Sequence, residues 1–251
     1  MMLRKAKGVL FDLFGTLIDV DQARLPALRI NGNIVPSTLP VLSQEIAEAY
    51  DDIGIERILI ELILTLKDRE HRNADDYAEL PAWSIFARVL ERLGIPQDDA
   101  SMELATHLSD VQMRVTANAV YALPGARKVL EHLRHRELRT ALVSNLDNVS
   151  SVPWLLEAAG LSSLFDTIVL SGDVGVCKPH EKIFLKALAD LNFSAADVVH
   201  VGDEAIPDIW GAGRMGMQAV WLNSTNIPYP QDRYEPALTL VSLEELLCYF
   251  P

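Results

Sequence analysis

Cysteine is nearly missing from this 251-residue chain: Cys177 and Cys248 are the only two, far apart and outside any CxxC spacing. That scarcity excludes a disulfide framework and a thiolate zinc site and leaves two buried or incidental thiols. Long apolar runs are missing too. The longest are broken by Asp12, Glu61 or Gly160, short of the roughly 18 to 20 residues a membrane span requires. No signal-peptide cleavage pattern is present, so the expectation is a cytosolic protein. Positive charge is scarce: 22 Lys and Arg stand against 35 Asp and Glu, for a net charge of -13, and the cations are scattered. This balance opposes attraction to phosphodiester backbones and anionic lipid, which argues against nucleic-acid and membrane partners. The six histidines show no metal-ligand spacing. Internal repeats and low-complexity segments are absent.

What the chain does have is apolar content, 49% of its residues, enough for one large domain or a core domain with an insert. Short apolar runs at Thr140–Val143, Thr167–Leu170, Val198–Val201 and Ala219–Leu222 predict strands. Helix-length segments at Ser151–Ala159, His180–Leu191 and Ile206–Met215 lie between them. Such alternation predicts an α/β fold with a parallel sheet. The run Gly8 to Leu10, delivering Asp12 to its end, joins that sheet, and Leu238–Val241 adds an edge.

Residues 17–121 differ. Blocks at Thr38–Tyr50, Ile55–Leu66, Leu80–Leu93 and Asp98–Ala119 have helical spacing and no strand alternation. They predict a helical insertion, with the α/β core made of 1–16 and 122–251. Pro26 and Asn31-Gly32-Asn33 predict an irregular loop or small hairpin at its start, and Pro124-Gly125 marks the return to the core.

Parallel sheets present functional groups at the carboxyl ends of their strands. The residues just after the runs are Asp12; Ser144 and Asn145; Lys178 before a helix; and Asp203 and Asp208 after Gly202. A carboxylate nucleophile, a small hydroxyl, a lysine and two further carboxylates suit a phosphate and a divalent cation such as Mg²⁺, which prefers oxygen ligands. In that reading Lys178 and Ser144 hold phosphoryl oxygens while Asp12 attacks to give an aspartyl-phosphate.

The motifs FDLFGTL at Asp12, LVSN at Ser144, GVCKP at Lys178 and VGDEAIPD at Asp203 and Asp208 occur in the order found in the haloacid dehalogenase superfamily, which the chain resembles over about residues 7–17 and 121–225. The resemblance implies a Rossmann-like core, with the insert as a helical C1-type cap domain of subfamily I. It implies Mg²⁺ held by Asp12, Asp203 and the backbone carbonyl of Phe14, with Asp208 acting directly or through water. It also implies substrate contacts from Ser144, Asn145 and Lys178.

One position departs from the family's phosphatases, which carry a second Asp where Phe14 stands. That Asp protonates the leaving oxygen and then activates water, help typically worth about 10² to 10⁴ in rate. Three readings follow. The leading one is a Mg²⁺-dependent phosphatase of a small phosphorylated metabolite with altered acid-base chemistry, in which Glu204 is a secondary candidate for holding a water. The second is a metal-independent 2-haloacid dehalogenase, favoured by an aromatic at position 14, with Arg24 or Arg29 as its arginine. The third is a non-catalytic phosphate-binding or interaction protein. The acidic pair Asp203 and Asp208 favours the first, since extra carboxylates beside Asp12 without a cation are costly. Substrate identity and oligomeric state stay open.

Overall fold

A computed structural model describes residues 3, 6–30, 32–50, 53–72, 76–230 and 234–251. In chain order it contains β1 (Gly8–Phe11), β2 (Ile18–Val20), β3 (Ala27–Ile30), β4 (Asn33–Pro36), α1 (Leu39–Ala49), α2 (Ile55–Arg72), α3 (Trp83–Arg92) and α4 (Asp99–Ala119). There follow β5 (Val120–Ala122), α5 (Ala126–His135), β6 (Arg139–Ser144), α6 (Val152–Ala158), β7 (Thr167–Leu170), α7 (Ser171–Val174) and α8 (Glu181–Leu191). The last elements are β8 (Val198–Gly202), α9 (Gly211–Arg214), β9 (Gln218–Leu222) and β10 (Leu238–Leu240).

Six parallel strands form one sheet in the order β10-β9-β8-β1-β6-β7. β1 is buried throughout, as a short apolar run covered on both faces must be. Its side chains alternate between two cores: Val9 and Phe11 face α5 and α6, whereas Leu10 faces Ile183, Phe184 and Ala187 of α8. The chain runs from β1 to one side (β6, β7) and then crosses to the other (β8, β9, β10), so strand order reverses at β1. Open α/β sheets bind ligands at such a reversal, beyond the carboxyl ends of the strands.

Helices α1 to α4 pack around an apolar cluster of their own, including Leu42, Ile46, Ile58, Phe86, Leu90 and Leu108. Three expectations need correction. Strands occur in the insertion outside the expected hairpin: β2 pairs antiparallel with β5, whereas β3 and β4 are the small hairpin predicted at Asn31-Gly32-Asn33. They leave no readable alternation because each has only three or four residues and β4 is exposed throughout. The hairpin's Gly32 takes φ +80°, while Asn31 lies outside the described residues. Helix α2 continues past Leu66 to Arg72, because its apolar stripe stops before its helix-forming polar residues do. Finally, Ile206–Met215 is not one α-helix but a π-helical turn over Ala205–Trp210 followed by α9. Among the described residues no helix is long and apolar enough to cross a membrane.

Candidate active site

Asp12 follows β1 directly, and its backbone N–H donates to the carbonyl of Val201 at 3.0 Å, continuing the ladder one residue beyond the strand. The chain then turns back sharply, with the N–H groups of Leu17 and Ile18 both donating to the carbonyl of Leu13. Gly15 makes this turn possible. It sits at φ +76°, and a Cβ there would lie 2.3 Å from Oδ2 of Asp203. Thr16 donates its hydroxyl to Oδ1 of Asp203 at 3.2 Å.

From the neighbouring strand β8, Gly202 permits an equally close approach, since a Cβ would fall 2.2 Å from Cγ of Asp208. The N–H of Glu204 donates to Oδ2 of Asp208 at 3.1 Å, and the Trp221 indole donates to the backbone carbonyl of Asp203 at 2.8 Å. These constraints gather three side chains from opposite ends of the chain. Asp12, Asp203 and Asp208 each offer a carboxylate oxygen, and these oxygens lie within 4.8 Å of one another.

The Lys178 ammonium lies between two of them, 2.5 Å from Oδ1 of Asp12 and 2.7 Å from Oδ1 of Asp208, with its side chain 1% exposed. Burial alone would drive off its proton, but the two carboxylates hold that proton and raise its pKa. Asp208 is buried as well, yet Lys178 and His200 hold it well below the usual carboxylate range. Burial raises Asp12, with Lys178 opposing and the charge of Asp208 adding to the rise. Asp203 is pushed up to about 7 by burial and by the charges of Asp12, Asp208 and Glu204, with Thr16 opposing.

One lysine therefore faces three carboxylates, and it contacts Asp12 and Asp208 but not Asp203. An all-oxygen donor set with excess negative charge suits a hard divalent cation, and Asp203 is the member whose ionisation such a cation would favour.

The remaining predicted residues fall into two groups. Ser144 ends β6 and is buried; Phe11 pairs with Leu142 in register, so Ser144 lies one residue past the level of Asp12. Lys178 precedes Pro179 through a cis peptide bond. Asn145 is occupied differently from the expected substrate contact: its amide donates to the carbonyl of Lys178 at 3.1 Å and accepts from the N–H of Lys178 at 2.6 Å. It fixes the lysine's backbone. Phe14 is half-buried, packs against the apolar core and forms a bridge with Ile18. Its ring has no proton to give.

Glu204 is exposed beside Asp203. Arg24 is exposed and its guanidinium donates to the carbonyl of Val120, and Arg29 is exposed on β3; among the described residues Asp12 is ion-paired with Lys178 and with neither arginine. Both cysteines are free.

Two histidines have partners inside the fold. His132 is half-buried and bonds the carbonyl of Phe250. His200 is fully buried, with Nε2 3.0 Å from Oδ1 of Asp208. The signal for His200 was available: one polar residue inside the otherwise apolar run Val198 to Val201 needs a partner.

A family model described as haloacid dehalogenase-like hydrolase matches residues 6–216. The chain belongs to the haloacid dehalogenase-like hydrolases. A glyceraldehyde 3-phosphate phosphatase from Pyrococcus abyssi is 30% identical over 223 residues, covering 86% of this chain and 80% of that protein. The fold is also that of a 2-haloacid dehalogenase from Pseudomonas syringae pv. Tomato DC3000 (TM-score 0.73, 24% identity, 97% of each chain covered). A haloacid dehalogenase-like phosphatase from Thermococcus onnurineus has a TM-score of 0.60 at 21% identity, covering 96% of this chain and 95% of that one. Membership of the haloacid dehalogenase-like hydrolases agrees with the six-stranded parallel core and with the order of the four motifs.

Proposed function

We propose that this protein is a Mg²⁺-dependent phosphatase of a small phosphorylated metabolite, with Asp12 as nucleophile. The observation that carries the reading is the meeting of Asp12, Asp203 and Asp208 within 4.8 Å around a single lysine. The phosphatase from Pyrococcus abyssi, 30% identical over most of both chains, supports it. The cap assignment of residues 17–121 belongs to the same proposal.

Lys178 takes Oδ1 of Asp12 and leaves Oδ2 to attack phosphorus. Ser144 and Lys178 supply donors to the phosphoryl oxygens, and Asn145 holds Lys178 in place from its backbone. Asp12, Asp203, Asp208 and the carbonyl of Phe14 are the groups that would hold Mg²⁺, which when bound offsets charge on the phosphoryl oxygens. Phe14 makes the departing oxygen leave without a proton from this position. Substrates whose leaving group is already a weak base are therefore turned over best.

The test is phosphate release from a panel of phosphomonoesters, with Mg²⁺ or with EDTA, for wild type and Asp12→Asn. Metal-dependent release that vanishes in the Asn variant is the expected result. The reading fails if wild type releases none and Asp12→Asn leaves Mg²⁺ binding unchanged.

Phe14 also favours a second reading, cleavage of a carbon–halogen bond, because halide departs without protonation. Halide release from 2-chloropropionate in EDTA would select it over the first.

A further inference from the structure

We propose that Glu79, held by Arg69, is a positioning residue: it clamps the loop that carries Lys178 from the helical side of the molecule. Glu79 lies between α2 and α3, on the short segment after the residues outside the description. Its side chain is 4% exposed, and both carboxylate oxygens are engaged. Oε1 accepts from Arg69 at 2.6 Å and from the N–H of Leu80 at 3.1 Å. Oε2 accepts from the Ser171 hydroxyl at 2.6 Å and from the Cys177 thiol at 3.1 Å. Arg69 donates its other amino group to Asp147, in the loop after β6, at 3.0 Å.

The backbone repeats the same connection. Ala78 pairs antiparallel with Val176, the N–H of Cys177 donates to the carbonyl of Tyr77 at 2.8 Å, and the N–H of Glu79 donates to the carbonyl of Gly175 at 3.0 Å. Residues 77–79 thus form a short extension of backbone pairing against 175–177, immediately before Lys178.

A buried carboxylate is stable only when its partners satisfy it, and this one has four. They come from two sides: Arg69 and Leu80 from the helical segment, Ser171 from the start of α7 and Cys177 from the loop after it. The network therefore has low energy in one relative arrangement of the two. Lys178 is the residue whose place depends on that arrangement. Its backbone is fixed by Asn145 on one side and follows the clamped Cys177 on the other. Its ammonium must bridge Asp12 and Asp208, so a small shift of the loop misplaces a group on which the carboxylates depend.

Two measurements on the full-length protein test this. The first is independent of activity: acetic anhydride labelling of Lys178, with amide hydrogen exchange of residues 171–178, both read by mass spectrometry. Glu79→Ala is expected to raise labelling and exchange by about tenfold or more as the loop opens locally. Glu79→Gln keeps an acceptor for Ser171 and Cys177 but turns its NH2 toward Arg69 and the N–H of Leu80, so it is expected to fall between wild type and the Ala variant.

The second measurement rests on the proposed phosphatase reading. With an aryl phosphate, Glu79→Ala is expected to lower kcat by about 10- to 100-fold while KM moves less than about threefold, and Glu79→Gln to restore part of the loss. Should Glu79→Ala fail to fold, Arg69→Gln and Cys177→Ala are read in the same way. Labelling and exchange at wild-type rates in Glu79→Ala, or in Arg69→Gln and Cys177→Ala where these replace it, overturn the proposal. Loosening of the loop in a protein that releases no phosphate upholds the clamp and removes the phosphatase reading instead.

Discussion

Thr16 donates to Asp203 across 187 positions of sequence, at 3.2 Å. Among the described residues it is the only side chain that donates to that carboxylate. Asp203 lies beside Asp12 and Asp208 without sharing their lysine, and its pKa is pushed from 3.8 up to about 7 by burial and neighbouring charge. Between those values the folded state holds a proton that the unfolded chain has lost. This group's stabilisation is therefore complete below 3.8 and lost as pH rises through about 7. Metal-free protein is expected to melt at lower temperature at pH 8 than at pH 6, and millimolar Mg²⁺ to raise the melting temperature more at pH 8. Asp203→Asn should reduce both differences in thermal scans with EDTA or Mg²⁺, burial of Asp12 and Glu204 raising those carboxyls in the same direction.

Lys178 touches the buried carboxylates of both Asp12 and Asp208. Lys178→Met leaves Asp12 and Asp208 adjacent without the cation between them, a loss on the order of 3 to 5 kcal/mol. Urea unfolding should show it as a shift in midpoint with little change in slope. Adding Asp208→Asn to the Met variant should recover part of the loss, because one of the stranded charges is then gone.

Gly15 combines φ +76° with a Cβ position 2.3 Å from Oδ2 of Asp203. Gly15→Ala is expected to cost about 1 to 3 kcal/mol in backbone strain and to displace Asp203. Calorimetric Mg²⁺ titration should then show weakened binding. Gly175→Ala makes a sharp comparison: it has a similar φ of +79° but open space around the added carbon, so it should lose stability without losing Mg²⁺.

Phe14→Asp restores a carboxyl group where phosphatases of the family have one. With alkyl phosphates its rate is expected to rise by about 10² to 10⁴. With aryl phosphates the gain should be much smaller, since their leaving groups need little protonation. A plot of log kcat against leaving-group pKa should be steep for wild type and shallow for the variant. Equal gains on both substrate classes would contradict the assigned role of position 14.

The parallel core was legible because its strands are continuous apolar runs covered on both faces, and β7 falls where its run predicts. The motifs at strand ends also predicted the meeting of Asp12, Lys178, Asp203 and Asp208. What stayed hidden has identifiable physical causes. β2 and β5 are three-residue strands that stabilise one another from positions 100 residues apart, so neither carries a local pattern. Glu79 and Arg69 look like solvated charges in sequence, and only the approach of Ser171 and Cys177 buries the carboxylate beside its half-buried arginine. Asn145 belonged to the expected motif, but its amide faces the lysine's backbone, a contact set by the three-dimensional path of residues 175–179.

β1 is paired along its whole length, with β6 on one side and β8 on the other. Backbone so enclosed opens only when the entire sheet does, and its amides should be among the last to exchange with deuterated solvent. Asp12 sits at the end of that rail, anchored by one further bond to Val201. An arriving ligand finds this carboxylate already in place, and no binding energy is spent on assembling it.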